Sequence, residues 1–382
     1  MRIFVDGVIF SLQKQGGLSR IFLEVLFPMC TLDPGLDITV LAQDCDRHIL
    51  PQHDRIHVVP DKDWSKNGLF SKGMIKKLFV KIQRFFYLAN PLLDTSAIWY
   101  SSYYTLPARW QGPVVMLVAD LIHELYPNFF VGVKNDDFRK RKHRCITQAD
   151  AVICISETTR RDLIAFYKID PQKTHVALLA HNTVFRPLGQ DICRYKRVTQ
   201  RPFFLYIGTR VHYKNYDLFI KTYAQWGGVK EVDVVLVGPE LSTEERHVLD
   251  ILGIAERVYV LKGVDDERLC VLYNQALAFI YPSIYEGFGI PLLEAMACGC
   301  PVVASDISST REIAADVPYY FRFHEQRDLT RSLDEVWRRD GVDERITRGM
   351  ERCRNYSWQK TAQQKLGIFS TVLKNGRAVE FV

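Results

Sequence analysis

Two glutamates flank a glycine-rich loop in the second half of the chain. Glu286 and Glu294 are separated by seven residues, and Gly287 and Gly289 lie between them. A glycine loop before a helix can bring backbone N–H groups close to a phosphate. A carboxylate repels a phosphate but accepts hydrogen bonds from hydroxyl groups. The spacing therefore favours a ligand with a phosphate between two polyol groups, which is the layout of a nucleotide sugar: ribose, diphosphate and hexose.

The flanking residues predict the elements that position this loop. Residues 279–281 end an apolar run of β-branched and aromatic character, which is typical of a buried strand. Pro291 suits the first turn of a helix, where its missing N–H is not needed, and Gly299 suits the end of that helix. The next strand follows at 301–304. The helix N-terminus at Ile290 is therefore predicted to point at the glycine loop.

The same segment is similar to a family signature. It combines Glu286-x7-Glu294, an internal Gly287-Phe288-Gly289 and a following Cys298-Gly299-x-Pro301-Val302-Val303. The pattern resembles the signature of the retaining glycosyltransferases of family 4, which have the GT-B fold. The resemblance implies that Glu286 contacts the transferred sugar and that Glu294 holds the ribose of the donor.

A basic pair follows the first predicted strand of the second half. Residues 203–207 form that strand, which runs into Gly208, and Arg210 and Lys214 come next, four positions apart. An arginine and a lysine in a loop before a helix suit a diphosphate. In the family, a basic pair at this place stabilises the departing nucleoside diphosphate, although most relatives space the pair by five. The resemblance therefore implies catalytic roles for Arg210 and Lys214.

Further glycines complete the donor site that the resemblance implies. Gly16 and Gly17 precede a helix predicted at 21–29, and Gly238 ends a strand predicted at 234–237. A lone Gly-Gly pair is more often a flexible turn, and a G-x-G-x-x-G dinucleotide fingerprint is absent. In the family, however, a Gly-Gly loop here meets the donor phosphate. The donor-binding candidates are Gly16, Gly17, Gly208, Gly238, Phe288, Gly289, Ile290 and Glu294.

Polar residues of the first half form the candidate acceptor side. Asp120 stands where the family has the Asp of a His-Asp pair beside the acceptor and the donor sugar, but Ala119 replaces the His. We expect His123 or Glu124 to supply the missing polar group, and a structural role is the alternative for His123. The resemblance implies a catalytic role for Asp120 and acceptor contacts for Tyr103 and His123.

Length and composition exclude several other classes. A chain of 382 residues predicts two domains, and a net charge of +6 is too small to indicate a nucleic-acid partner. Among the nine cysteines, no CxxC pair or Cys/His cluster has the spacing of metal ligands. We therefore expect reduced thiols, no metal site and a cytoplasmic chain. The chain opens on a predicted strand instead of a signal peptide, and no apolar run approaches the roughly 18 residues that span a bilayer.

The domain organisation follows from a polar, basic and weakly periodic segment at 186–201, which predicts the linker. We expect an N-terminal acceptor-binding domain at 1–190, a C-terminal nucleotide-sugar-binding domain at 198–358, and a final helix and tail at 359–382. The predicted fold class is α/β: a GT-B arrangement of two Rossmann-like domains facing across a cleft, with the last helix crossing back to the first domain.

Residues 72–88 have the pattern of a basic amphipathic helix. Seven apolar side chains fall on one side of the helical wheel, and the other side carries Lys76, Lys77, Lys81 and Arg84. Such a helix is typical of a membrane surface, which would bring residues 74–88 to the inner face of the plasma membrane. The alternative is a domain helix with its apolar face in the core, and the sequence leaves both interpretations open.

The resemblance also implies the reaction. We expect a retaining transfer of a hexosyl group from a nucleotide-diphosphate sugar to a hydroxyl of a saccharide acceptor, which many relatives carry on a lipid, in surface polysaccharide or lipopolysaccharide assembly. Arg210, Lys214, Glu286 and Asp120 are the catalytic candidates, and neither a cofactor nor a metal is expected. The alternatives are an epimerase or phosphorylase on the same fold, and a non-catalytic sugar-nucleotide-binding paralogue.

Overall fold

The computed structural model of the chain describes residues 1–13, 16–41, 50, 52–59, 96–107 and 110–377. The helix predicted at 72–88 lies outside these residues. The chain divides into two compact units. One comprises Met1–Leu179 together with Trp358–Val382, and the other comprises Ala180–Ser357.

The first unit is built around a parallel sheet. Its described strands are β1 (Arg2–Val5), β2 (Asp37–Leu41), β3 (Ile56–Val59), β4 (Ile98–Ser101), β5 (Val114–Val118), β6 (Ala151–Cys154) and β7 (Thr174–Val176). They pair in the order β3-β2-β1-β4-β5-β6-β7, and each described pair is parallel. All residues of β4, β5 and β6 are buried, as expected for central strands of a parallel sheet.

Helices alternate with these strands. They are α1 (Val8–Leu12), α2 (Gly17–Leu32), α3 (Ile122–Leu125), α4 (Val133–Gln148) and α5 (Glu157–Tyr167), with short 3₁₀ helices at Pro127–Phe129 and Pro171–Lys173. Ser156 caps α5 as its sequence predicts, because its hydroxyl accepts the N–H of Thr159 at 2.9 Å.

The second unit repeats this plan. Its strands are β8 (Phe203–Ile207), β9 (Asp233–Val237), β10 (Val258–Leu261), β11 (Ala278–Tyr281), β12 (Val302–Ser305) and β13 (Tyr319–Phe321). They form a parallel sheet in the order β10-β9-β8-β11-β12-β13. Its helices are α6 (Tyr216–Gln225), α7 (Thr243–Ile251), α8 (Asp266–Gln275), α9 (Ile290–Ala297), α10 (Ser308–Ala314), α11 (Gln326–Trp337) and α12 (Val342–Cys353), with 3₁₀ helices at Gly189–Arg194, His212–Lys214 and Ala255–Arg257.

The last helix, α13 (Trp358–Arg377), belongs to the first unit, where it packs mainly on α2. The chain therefore returns to its N-terminal unit after completing the second one. This return and the two parallel Rossmann-like sheets confirm the fold class that the sequence predicted.

The start of the second unit differs from the predicted linker. The structure assigns residues from Ala180 onward to the second unit. Within 186–201, the N–H of Leu188 donates to Asn274 Oδ1 at 2.8 Å, and Asn274 Nδ2 donates to the carbonyl oxygen of Arg186 at 3.0 Å. The polar composition that indicated a linker thus reflects a surface segment held on α8 by side-chain hydrogen bonds.

Candidate active site

The donor-side candidates of the second unit lie where its parallel strands end. β8, β9 and β11 are neighbours in one parallel sheet, so their carboxyl ends share an edge. Gly208 follows β8 with a φ of 122°, which favours glycine. Gly238 follows β9, and a Cβ atom there would clash with the carbonyl oxygen of Gly208. The two glycines therefore allow two loop backbones to approach closely at this edge.

Arg210 is held by the loop after β9 and by the first turn of α7. Its Nε and Nη2 donate to the Glu245 carboxylate at 2.6 and 3.1 Å, and Nη2 also donates to the carbonyl oxygens of Pro239 and Glu240 at 2.9 and 2.7 Å. Burial alone would raise the pKa of Glu245, but hydrogen bonds from Arg210 and from the Ser242 backbone outweigh it and hold that pKa below its usual value. Among the described residues, the buried Nη1 has no hydrogen-bond partner.

Lys214 and Glu286 form an ion pair. Lys214 Nζ lies 2.5 Å from Glu286 Oε1, and the two side chains are 20% and 15% exposed, so both groups remain partly accessible. Tyr281, the last residue of β11, hydrogen-bonds to Glu286, and burial together with that carboxylate raises the pKa of Tyr281. The structure therefore brings together two of the predicted catalytic residues and adds a tyrosine that the sequence analysis did not single out.

The glycine loop leads into α9 as predicted. α9 begins at Ile290 with Pro291 in its first turn, and its N-cap Gly289 has a φ of 113°. A Cβ atom at Gly289 would approach a methyl group of Leu292 to 2.9 Å and the Tyr281 hydroxyl to 3.5 Å. Gly289 thus places the N-terminus of α9 next to the hydroxyl that contacts the Glu286 carboxylate.

Glu294 is buried in α9, with 3% of its surface exposed. The Tyr273 hydroxyl of α8 donates to its Oε2 at 3.1 Å, and burial together with this carboxylate raises the pKa of Tyr273. The carboxylate is therefore held in a fixed orientation, which suits the binding of a ribose hydroxyl. The ring of Phe288, in contrast, is buried against Tyr356, so its backbone is the part that remains for a donor.

The Gly-Gly pair of the first unit lies at a helix start. Gly17 is the first residue of α2, and Gly16 is its N-cap with an extended backbone. The Ser19 hydroxyl donates to the carbonyl oxygen of Gly16 at 3.0 Å. The helix begins four residues earlier than predicted, which places the glycines directly at its N-terminus.

Both acceptor candidates contact one aromatic ring. The Tyr103 and His123 rings lie 5.6 and 4.8 Å from the ring of Phe138, measured between centroids. His123 Nδ1 also lies 2.6 Å from Asn135 Oδ1, and burial raises the pKa of Tyr103. The Arg141 guanidinium lies 5.9 Å from the centre of the Tyr103 ring. The structure thus brings the two acceptor candidates together beside an exposed arginine.

Asp120 follows β5 and is half-buried, and its Oδ1 accepts the N–H of Ile122 at 3.1 Å. Glu124 does not take the place of the histidine missing at Ala119, which corrects one of the two sequence-based expectations. It is 3% exposed and pairs with the buried Lys142 at 2.9 Å. No pattern in the sequence indicates this pair, because Lys142 stands in a run of basic residues that are otherwise mostly exposed.

A second buried carboxylate also escaped the sequence analysis. Asp6, at the end of β1, is 4% exposed and accepts hydrogen bonds from the hydroxyls of Ser101, Ser102 and Thr105. Ser101 is the last residue of β4, the neighbour of β1 in the sheet, and Ser102 and Thr105 follow it, so the segment between them carries Tyr103. The only signal for it in the sequence is an Asp-Gly pair after the first strand, which is equally typical of a strand end.

Two features are absent from the part of the chain that the structure describes. In these residues, no group of three or more His, Cys, Asp or Glu side chains is placed to hold a metal ion. None of the described helices combines the length and apolar character needed to cross a membrane.

Comparison with known proteins identifies the class. Residues 192–350, nearly all of the second unit, match the family model described as "Glycosyl transferases group 1". The solved sucrose-phosphate synthase from Thermosynechococcus elongatus superposes with a TM-score of 0.75 at 17% identity, over 98% of this chain and all of that one. HepE from Anabaena, solved with UDP and glucose, gives a TM-score of 0.71 at 17% identity, over 97% and 99% of the two chains.

Among curated proteins, O-antigen chain mannosyltransferase B of Escherichia coli is 27% identical over 258 residues, which is 60% of this chain. The chain spans 63% of that relative's length. The protein therefore has the GT-B fold, and its second unit matches the group 1 glycosyltransferase model, in line with what the Glu286–Glu294 segment indicated.

Proposed function

We propose that the protein transfers a hexosyl group from a nucleotide-diphosphate sugar to a hydroxyl of a saccharide acceptor, with retention at the anomeric carbon, in bacterial surface polysaccharide assembly. The name of the Escherichia coli relative supports the pathway and favours a mannosyl donor, and the UDP and glucose of the HepE complex support a nucleotide-sugar donor.

The observation that carries the proposal is the Lys214–Glu286 pair, 2.5 Å apart beside the N-terminus of α9. An ammonium and helix N–H groups stabilise the negative charge that develops on a departing diphosphate. Glu286 accepts a hydrogen bond from a hydroxyl of the transferred sugar, and Glu294 accepts one from a hydroxyl of the ribose. The unpaired Nη1 of Arg210 supplies one more donor, because the rest of that guanidinium is fixed by Glu245 and two carbonyl oxygens.

In the proposed reaction, the bond between the anomeric carbon and the diphosphate oxygen breaks as the acceptor oxygen bonds to the same face of the sugar. The acceptor proton passes to the departing diphosphate. Asp120 orients the acceptor beside Tyr103 and His123. No cofactor takes part, and the charge is carried by the protein's own cations and amides, so the reaction needs no metal. The acceptor is a lipid-linked saccharide, and the enzyme works at the cytoplasmic side of the membrane.

Substitution of Lys214 tests this function. We expect Lys214→Met to lower the rate of nucleoside diphosphate release from the preferred nucleotide sugar by roughly 10²–10³, as for the loss of one preorganised donor, with a smaller loss of donor affinity. A melting-temperature screen with GDP, UDP and dTDP first identifies the base, since a ligand of the native state raises its melting temperature.

Lys221→Met, on the exposed face of α6, is the matched control and should leave the rate unchanged. An unchanged rate in Lys214→Met would place the departing phosphate elsewhere. Binding of a nucleoside diphosphate without turnover of any nucleotide sugar would instead favour a non-catalytic binding protein.

A further inference from the structure

The first unit contains a buried ion pair that the proposed chemistry does not use. Lys142 Nζ, from α4, lies 2.9 Å from Glu124 Oε2, in α3, and the two side chains are 1% and 0% exposed. The Tyr167 hydroxyl donates to the other oxygen of Glu124 at 2.8 Å. Burying two charges is costly, and apolar residues of similar size are often equally stabilising. Stability alone therefore gives a weak reason for this pair.

The pair is connected to the candidate acceptor side by a hydrogen bond to the backbone of Asp120. Lys142 Nζ also donates to the carbonyl oxygen of Asp120 at 2.8 Å. The Asp120 side chain accepts the N–H of Ile122, so the residue is held from both its carbonyl and its carboxylate. One ammonium thus ties the end of β5 to α3 and α4, which are the elements that carry His123 and Phe138.

The same ammonium stabilises a strained residue on the neighbouring loop. It lies 5.4 Å from the centre of the Tyr104 ring, within the range of a cation–π contact. Tyr104 is buried and has a φ of 54°, a conformation that a bulky residue adopts only where its surroundings impose it. Tyr103, the acceptor candidate, precedes it. Lys142 therefore contacts both loops that carry the predicted acceptor-side residues.

We propose that Lys142 is a positioning residue for the transfer reaction, with Glu124 and Tyr167 as its supports. The proposal rests on the proposed function, in which Asp120 orients the acceptor. Lys142 fixes the carbonyl of Asp120, and Glu124 supplies the negative charge that pairs with the buried ammonium. A side chain that only filled the core would not need a donor aimed at that carbonyl.

The double variant Lys142→Met/Glu124→Leu separates positioning from stability. It removes both charges, so no unpaired charge stays buried, and its melting temperature should stay close to that of the wild type. The Asp120 carbonyl loses its donor, so we expect kcat for nucleotide-sugar turnover to fall at least tenfold. The affinity for the nucleoside diphosphate, bound by the second unit, should change less than twofold. The probes are GDP-mannose and UDP-glucose, tested in turn with the wild type.

Wild-type kcat in the folded double variant would overturn the positioning role. Tyr167→Phe gives a milder test, since it keeps both charges and removes the hydroxyl that holds Glu124. It should lower kcat several-fold with little change in melting temperature, and an unchanged kcat would count against the proposal even if the double variant fails to fold. Asp120→Asn tests the role of Asp120 itself. Full activity in this variant would remove Asp120 from the mechanism, and the positioning role of Lys142 with it. Absence of turnover in the wild type would refute the proposed function itself.

Discussion

Lys365 makes the stability of the protein depend on pH in a way that one substitution can isolate. It lies in α13 and is fully buried, with its Nζ 2.9 Å from the Tyr100 hydroxyl and 5.7 Å from the centre of the Phe22 ring. Burial lowers the pKa of Lys365 from 10.5 to about 7. The folded state therefore holds a neutral amine at alkaline pH and an ammonium at acidic pH.

The sign of the effect follows from proton counting. Between about pH 7 and pH 10.5 the unfolded chain carries a protonated Lys365 while the folded chain does not, so the free energy of unfolding rises with pH. The two pKa values differ by about 3.5, which at ~1.4 kcal/mol for each pH unit is about 5 kcal/mol over the whole window. From pH 7 to pH 9 the rise is about 2 kcal/mol, because only part of the folded population is neutral at pH 7.

Chemical unfolding of the wild type and of Lys365→Met at pH 6, 7, 8 and 9 measures this rise. The variant has no titrating group at this position, so the difference between the two unfolding free energies isolates Lys365 from all other groups. We expect the variant to have the larger unfolding free energy at pH 6. The difference between variant and wild type should then shrink by about 2 kcal/mol between pH 7 and pH 9. Lys374→Met, on the exposed face of the same helix, should show no such trend.

A constant difference between wild type and Lys365→Met from pH 6 to pH 9 would refute this reasoning. It would mean that water reaches the amine in the folded state, or that an anion pairs with it. A difference that changes in the opposite direction would require a stabilised ammonium, which conflicts with the apolar surroundings formed by Phe22 and Tyr100.

Three further predictions concern the site and the helix predicted at 72–88. Glu294→Ala should weaken nucleoside diphosphate binding about 10- to 100-fold in a calorimetric titration, as for the loss of a buried charge-assisted hydrogen bond of roughly 1.5–3 kcal/mol. Tyr273→Phe should weaken that binding less. Unchanged affinity in Glu294→Ala would rule out the ribose contact. Transfer should keep its full rate in excess EDTA, and a strict need for a divalent cation would contradict the charge assignment to Lys214 and Arg210. Replacing Lys76, Lys77, Lys81 and Arg84 by Gln should abolish low-salt binding to anionic liposomes, to which the four basic residues contribute about 1 kcal/mol each. If the wild type does not bind such liposomes, residues 74–88 are a core helix.

The sequence predicted the fold well wherever local patterns decide the structure. Strand β8 was predicted at its observed bounds, because a continuous apolar run is what a doubly covered parallel strand requires. β7 and β13 were missed, since three residues at a sheet edge give little pattern. Helix α1 was also missed, because Gly7 with a φ of 62° ends β1 and starts a short helix at once.

The site was predicted only in part, for a different physical reason. The family resemblance assigned Glu286, Lys214 and Glu294 to one end of the second domain, and the structure brings Lys214 and Glu286 together. The partners that hold these groups come from distant parts of the chain, such as Glu245 for Arg210, 35 residues later. No periodicity or spacing encodes such a pair, because it depends on how two loops meet after the sheet has formed.

These supporting contacts share one physical logic. Glu245 fixes Arg210, Tyr273 fixes Glu294, and Lys142 fixes the Asp120 carbonyl; Tyr273 and Lys142 are buried and Glu245 is half-buried. A hydrogen bond in such surroundings is stronger and more directional than one in water, but leaving either partner unpaired is costly. A site built in this way resists small displacements of its reacting groups, which is what stabilising a developing charge requires. Apolar packing could hold the same loops with similar stability, but it has no direction, so it could not set the angle of a carboxylate or a guanidinium. The buried polar supports are therefore better explained by the chemistry of the site than by the stability of the fold.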